Sequence, residues 1–423
     1  MCYFMISLPV KMKIVILTQY FPPEVGAPQN RLFELAVRLA QRGHEISVFT
    51  AMPNYPAMKI QDAYRGKWFC TEEMQGIKVY RSWIWVSEAK GIGSRLLNYF
   101  SFVFSSGVWG ALKMKPSDLL ICESPPLFLG ITARWLSFIK RTPMLFNVSD
   151  LWPESAEKLG LVRNKFLLSL TVRLEESIYR SSKIISGQTQ GIVNNISARI
   201  PNKPVYWLPN GVEPKNFNPH AFNRSWRKAK GFAEEDVLFL YAGIIGHAQG
   251  LDVILDAAIL TSAESKIKWL LLGAGPVKEH LLNRVTKEHI TNVFFYDVVP
   301  KSEMPVVLSS CDAAVVPLKK LDLFRGAIPS KIFENLAMEK PLLLGVEGEA
   351  KKLFIEEAGA GISFEPGNQQ ELAGAALQLA ENPAMRGDMG KRGRKFVDEH
   401  FSRELIALRF EAFIKDQLGN KSQ

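Results

Sequence analysis

Apolar runs of strand length alternate with stretches of helical spacing along most of the chain. KIVILTQY (13–20) is one such run. The loop FPPEVGAPQN follows, then Leu32, Leu35, Ala36 and Leu39 recur at helical spacing up to Gly43, and EISVFT (45–50) opens the next run. That is a βαβ unit, which predicts a parallel sheet with a right-handed crossover. Strand-like runs return at KVYRSWIW, DLLICES, PMLFNVS and KIISGQT. Between about 200 and 236 the texture changes: PNKPVYWLPNGVEPKNFNPH is dense in Pro, Asn and Gly and reads as a linker with turns. The alternation then restarts with DVLFLYAG (236–243), GLDVILDAAILTS, KWLLLGAGP (268–276), NVFFYDVV (292–299), DAAVVPLKK (312–320), PLLLGV (341–346) and the short run at 361–364.

The pattern predicts an α/β chain of two doubly wound, Rossmann-like domains facing a cleft, one over 12–205 and one over 206–400. A C-terminal helix at about 401–418 is expected to pack back on the first. A length of 423 residues agrees with two cores. In such sheets ligands bind at the carboxyl ends of the strands, so the loops there are the default site.

Composition narrows the partners. Hydrophobic residues make up 47% and charged residues 22%, an ordinary globular balance, and the net charge of +10 favours an anionic partner. No dense Lys/Arg run interleaved with aromatics is present, which argues against nucleic acid. Cys2, Cys70, Cys122 and Cys311 lie far apart with no metal-ligand spacing, a pattern suited to a reducing cytosol. The opening MCYFMISLPV has no basic flank or cleavage site and is too short to span a bilayer; with a strand beginning at Lys13, Met12 is a candidate start. Leu96–Leu112, uncharged between Arg95 and Lys113, reads either as a core helix of the first domain or as a helix at a membrane surface.

The loops carry the candidate chemistry. The first, at Glu24 and Gly26, has no G-x-G-x-x-G, and no acidic residue ends the second strand, so both halves of a dinucleotide fingerprint are missing. Gly273-Ala274-Gly275 alone marks a tight strand-to-helix turn. In FRGAIPSKIFENLAMEKPLLL (324–344), Ser330 is a good N-cap. The backbone N–H groups of Lys331 and Ile332 then lie at a helix mouth, where the helix dipole favours an anion and Lys331 adds a charge. Glu334 is placed either to accept a cis-diol or merely to complement the dipole and pair with Lys331, and both readings stand. Gly243 and Gly246 permit close backbone approach, with His247 and Gln249 as donors. Asp150, at the end of a strand, reads as a general base or acceptor and equally as an Asx cap; Glu24 carries the same ambiguity.

Taken together, FPPEVGAPQNRLFELAVRLAQRGHEISVFT, DLWPESA, LPNGVEPKNF, YAGIIGHAQGLDVIL, LLGAGP and PSKIFENLAMEKPLLL resemble the retaining glycosyltransferases of family 4, the glycogen-synthase-like group with the GT-B fold. Within it the chain is similar to bacterial fucosaminyltransferase-like enzymes of O-antigen and capsule synthesis. The resemblance implies a nucleotide-sugar-binding second domain in which Glu334 holds the donor ribose and Ser330–Ile332 the diphosphate. It also puts the Gly243–Gly246 loop beside the phosphates and the uracil against backbone near Val298 and Val299, with Gly26 bordering acceptor and donor. The chain departs from the family where a Glu is usual and Gly326 stands, where an Arg and a Lys are usual and Ile244 and Gln249 stand, and where a His is usual and Ser149 or Asp150 stands. The leaving diphosphate is then expected to lean on Lys331, with Arg325 or His247.

No D-x-D occurs, so no metal or other cofactor is expected. Asp150, Glu24 and Lys331 are the catalytic candidates. The expected reaction moves an N-acetylamino sugar from a UDP-sugar to a polyprenyl-diphosphate-linked saccharide, in a cytoplasmic protein held peripherally at the anionic inner-membrane surface. A UDP-sugar 2-epimerase of the same architecture, or a non-catalytic nucleotide-sugar-binding subunit, are the competing expectations.

Overall fold

The computed structural model describes residues 11–24, 26–55, 57–89, 91–154 and 164–419. The stretch MCYFMISLPV, and Ser155 and Ala156 of the motif DLWPESA, lie outside the described residues. The chain divides into two compact units: Met1–Pro209 with Ile406–Gln423, and Asn210–Leu405.

The first unit holds an eight-stranded sheet. Its strands are β1 (Lys13–Leu17), β2 (Glu45–Ala51), β3 (Phe69–Met74), β4 (Ile77–Ser82), β5 (Leu119–Ser124), β6 (Met144–Val148), β7 (Ile184–Gly187) and β8 (Val205–Trp207), in the order β3-β4-β2-β1-β5-β6-β7-β8. All neighbours are parallel except β3 and β4. Two strands depart from the sequence expectation. β3 reads FCTEEM, with no apolar run to announce it; Gln75 and Gly76, both at positive φ, fold it back on β4 in a two-residue hairpin. β8 lies inside the stretch expected to be a linker, because VYW completes the sheet edge beside β7.

Alternation along β1 sends Ile14 and Ile16 to one face and Val15 and Leu17 to the other. The first face is covered by α1 (Ala27–Gln41), through Leu32, Leu35 and Leu39, and by the C-terminal helix Arg403–Gly419, through Ile406, Phe410 and Ile414. That helix is also fastened by charge. Burial works against ionisation of Glu411, yet Lys415, Arg42 and His44 hold its carboxyl down to about 2. The second face is covered by α2 (Ile92–Lys113), α3 (Leu129–Lys140) and α4 (Lys165–Ser181). Among the described residues no helix is long and apolar enough to cross a membrane.

The second unit carries β9 (Val237–Ala242), β10 (Ile267–Leu272), β11 (Val293–Tyr296), β12 (Ala313–Pro317), β13 (Leu342–Gly345) and β14 (Gly361–Ser363), all parallel, in the order β11-β10-β9-β12-β13-β14. Counted within the unit this is 3-2-1-4-5-6, the doubly wound arrangement of nucleotide-binding sheets. The order reverses between β9 and β12, the switch point beside which sheets of this kind bind ligands at their carboxyl ends; the loops leaving the two strands are joined there by the Lys319 N–H, which donates to the Ala248 carbonyl at 2.9 Å.

Candidate active site

Several of the candidate residues of the second unit lie at that switch point. Tyr241, near the end of β9, is buried, and its hydroxyl donates to the carbonyl of Ile244 at 2.5 Å. Gly243 follows in a backbone conformation that disfavours a side chain, with φ 144°. The chain then runs beside Gly273-Ala274-Gly275: Gly243 N–H donates to Leu272 and Ile245 N–H to Ala274, each at 2.9 Å. A Cβ on Gly273 would stand 1.9 Å from the Gly243 carbonyl oxygen. The G-x-G motif, expected to be only a strand-to-helix turn, is therefore also what lets the loops after β9 and β10 touch.

From the other side comes α5 (Lys331–Ala337), anchored by buried Ile332, Phe333 and Leu336. Its Lys331 ammonium lies 3.6 Å from the centroid of the Tyr241 ring. A Cβ on Gly243 would come within 2.9 Å of the same nitrogen. Burial pushes the Lys331 pKa down to about 7, with Glu334 only partly opposing it. Lys331 and Glu334 thus do not pair as i, i+3 neighbours: the ammonium turns onto the tyrosine, and the Glu334 carboxylate lies 4.0 Å from Lys301. Burial raises the Glu334 pKa, countered by Lys301, Arg403 and Lys331. No described residue donates a hydrogen bond to this carboxylate, which leaves its oxygens open to a ligand.

The expected helix mouth is corrected in detail. Ser330 is already helical (φ −59°, ψ −27°) and makes no side-chain capping bond. The Ile332 N–H is taken by the Pro329 carbonyl at 3.1 Å. Pro329 has its φ preset for a helix start, so the turn begins one residue early and spends that donor internally. The exposed Ser330 hydroxyl and the Lys331 side chain remain as groups a ligand can meet.

The other second-unit candidates lie in loops at the same end of the sheet. Gly246 and His247 follow β9, His247 exposed in a short 3-10 turn; Val298 and Val299 follow β11, Val298 exposed; Arg325 is exposed in the turn after β12.

In the first unit, Glu24 and Gly26 follow β1, and Asp150 follows β6 as an exposed residue. Glu24 is buried and accepts from the backbone N–H groups of Asn54 (2.7 Å), Tyr55 (2.8 Å) and Phe21 (3.2 Å), so it ties two loops together. Burial nonetheless raises its pKa.

Beside Asp150 lies a polar group that the sequence reading overlooked. Arg31 donates to Glu123 and to Ser149 Oγ, both at 2.6 Å; Asn147 and Ser149 also donate to Glu123, and Ser186 donates to Asn147 at 2.6 Å. The available signal was Glu123 itself, an acid inside the apolar run DLLICES, which demands a buried partner. Replacing Glu123 by Ala leaves Arg31 buried beside an absent partner. The expected cost is about 3–5 kcal/mol, read from the midpoint of urea unfolding; an unchanged midpoint would show that the network does not hold this end of the sheet.

Comparison with known proteins covers nearly the whole chain. Residues 26–211 match the family described as Glycosyl transferase 4-like domain, and residues 222–396 match Glycosyl transferases group 1. The chain is 24% identical over 377 residues to the putative colanic acid biosynthesis glycosyl transferase WcaI of Escherichia coli (strain K12), covering 87% of this chain and 92% of that protein. It is 23% identical over 246 residues to O-antigen chain mannosyltransferase C of Escherichia coli, covering 57% of this chain and 63% of that protein. Among solved structures, HepE of Anabaena in complex with UDP-glucose superposes with a TM-score of 0.70 at 16% identity, covering 97% of this chain and all of the other.

Proposed function

Since the chain belongs to the family 4 glycosyltransferases of GT-B fold, we propose that it transfers a sugar, an N-acetylamino sugar such as N-acetylfucosamine, from a UDP donor to a lipid-linked saccharide, with retention at the anomeric carbon and without an obligatory metal. The observation that carries this reading is the pair at the switch point of the second unit: an open carboxylate on Glu334, and an enclosed amine on Lys331 whose pKa burial lowers to about 7.

Each group has a task in such a reaction. Glu334 accepts the two ribose hydroxyls of the donor. Lys331 gains a proton as the diphosphate arrives and stabilises the charge that grows on it as the glycosidic bond breaks. The Gly243–Gly246 loop brings backbone to the phosphates, with Ser330, His247 and Arg325 as further donors, and the backbone near Val298 and Val299 meets the base. On the first unit, Asp150 orients sugar or acceptor. Among the described residues none stands out as a nucleophile, so the departing phosphate takes the acceptor proton on the same face.

The UDP-glucose complex of HepE supports a uridine donor, and the name of WcaI supports a surface-polysaccharide product. A polyprenyl-diphosphate carrier at the inner leaflet, and peripheral attachment to the cytoplasmic face, belong to the same proposal; the basic balance of the chain and the uncharged stretch Leu96–Leu112 support them. A relative from Corynebacterium glutamicum named as a GDP-mannose-dependent mannosyltransferase, 23% identical over 217 residues, favours a second reading, with a guanosine donor. A thermal-shift titration with UDP, GDP and NAD separates the two. At a hundredfold excess over Kd, UDP is expected to add about 2.7 kcal/mol to the stability of the second unit. Stabilisation by GDP alone moves the donor to the mannose type, and indifference to all three nucleotides sinks both.

A further inference from the structure

The helices on one face of the first unit are turned the wrong way round for a water-facing surface. On α2 the residues facing the sheet include Asn98, Ser105 and Ser106, while Leu97, Phe104, Val108 and Leu112, at helical spacing, point outward. Their exposures of 58%, 71%, 40% and 68% describe an unbroken apolar stripe. This register is fixed by hydrogen bonds: Asn98 accepts from Gln19 at 2.8 Å and donates to the Trp85 carbonyl at 2.7 Å, and Ser105 donates to the Trp83 carbonyl. Rotating the helix to hide the stripe would break all three.

The adjoining α3 continues the surface. Trp135 is 45% exposed and Phe138 82% exposed. The two helices are locked side by side: Thr132 donates to the Val103 carbonyl and Lys140 to the Ala111 carbonyl, each at 2.7 Å, and Gly110 leaves room for Leu136, whose side chain a Cβ there would meet at 2.6 Å. Neither helix contains an acidic residue, while Arg95, Lys113, Arg134 and Lys140 lie on them.

We propose that α2 and α3 together form a membrane-docking face, in which Phe104, Phe138 and the stripe around them enter the boundary between headgroups and acyl chains of an anionic bilayer, and the flanking cations meet the lipid phosphates. The argument is charge complementarity. Cations without acids around an apolar centre suit an anionic lipid surface. The same face is a poor match for a second copy of itself, since a two-fold contact would set like charges together. Trp135 at the edge of the stripe suits the headgroup level. The inference rests on the lipid-linked acceptor reading for its purpose, and on the surface of these two helices for its evidence.

The test is co-sedimentation of the full chain with vesicles of phosphatidylethanolamine and phosphatidylglycerol (3:1), against vesicles of phosphatidylcholine alone. Wild type is expected to bind the anionic vesicles at low salt, with a several-fold loss when salt shortens the Debye length. The double variant Phe104→Glu/Phe138→Glu is expected to bind about tenfold less or weaker still. A second variant, Leu97→Glu/Leu112→Glu, guards against a local folding defect, and retention of the wild-type melting temperature qualifies each. Wild type that ignores anionic vesicles, or folded variants that bind as wild type does, overturns the proposal. So does a wild-type dimer in light scattering that the variants convert to monomer, since a second copy then covers the face. UDP stabilisation is read on the same samples: vesicle binding without it sinks the donor reading and spares this one, and the reverse result does the opposite.

Discussion

Replacing Lys331 with Met is expected to slow transfer about a hundredfold, the usual loss when one donor to a developing anion is removed, while making the unliganded protein more stable near pH 6. Both effects have one cause. The ammonium is enclosed against Tyr241 and Gly243, and its pKa falls from the ordinary 10.5 to about 7. Between those values the folded chain binds fewer protons at this site than the unfolded chain, so wild-type stability rises with pH across that window. Below pH 7 the full cost of a buried charge is present; above about 10.5 it is gone. The Met variant carries no such cost. Its melting temperature should exceed that of wild type by about 3 °C or more at pH 6, with the gap closing toward pH 10. Calorimetry supplies a second readout. At pH 8 the free amine is mostly neutral, so a diphosphate beside it should draw in about one proton per UDP bound. Heats measured in buffers of different ionisation enthalpy report that uptake. If the Met variant takes up the same number of protons, Lys331 does not face the diphosphate.

The second large effect is expected at Glu334. A carboxylate accepting two hydroxyls makes hydrogen bonds worth about 1.5–3 kcal/mol each, so Glu334→Ala should weaken UDP binding about a hundredfold or more and abolish the thermal shift. Misfolding offers no escape from this test. Burial raises the Glu334 pKa, which means that the ionised form costs the apo protein stability at neutral pH. The Ala variant should therefore melt no lower than wild type at pH 7. Acid should also weaken UDP binding by wild type from a higher pH than an ordinary carboxylate would give, because protonated Glu334 loses acceptor capacity. Undiminished stabilisation by UDP in the Ala variant would falsify the ribose assignment and leave Glu334 as a helix-end charge.

The local framework of the candidate site was legible in the sequence, and particular residues show why. The strand ending in Tyr241 and the glycines at 243 and 246 are local signals, as is the short helix carrying Lys331 and Glu334. The capping role expected of Ser330 was misjudged because Pro329, one position earlier, begins the turn instead. Glu123 signals a buried partner by its place in an apolar run, but the partner, Arg31, lies 92 positions away and nothing local in the sequence points to it.

The sequence by itself determined the two doubly wound sheets and the loops that carry the candidate chemistry, because strand and helix periodicities of 2.0 and 3.6 and the turn residues between them act over a few neighbours. Tertiary structure alone decided the rest. It buried Lys331 beside a ring ninety positions earlier, and that burial lowers its pKa to about 7; it pressed Gly273 against Gly243; and it turned the apolar side of α2 outward by bonding Asn98 and Ser105 inward. Those outcomes depend on burial and on partners distant in sequence, and no local pattern of hydrophobic and polar positions contains either.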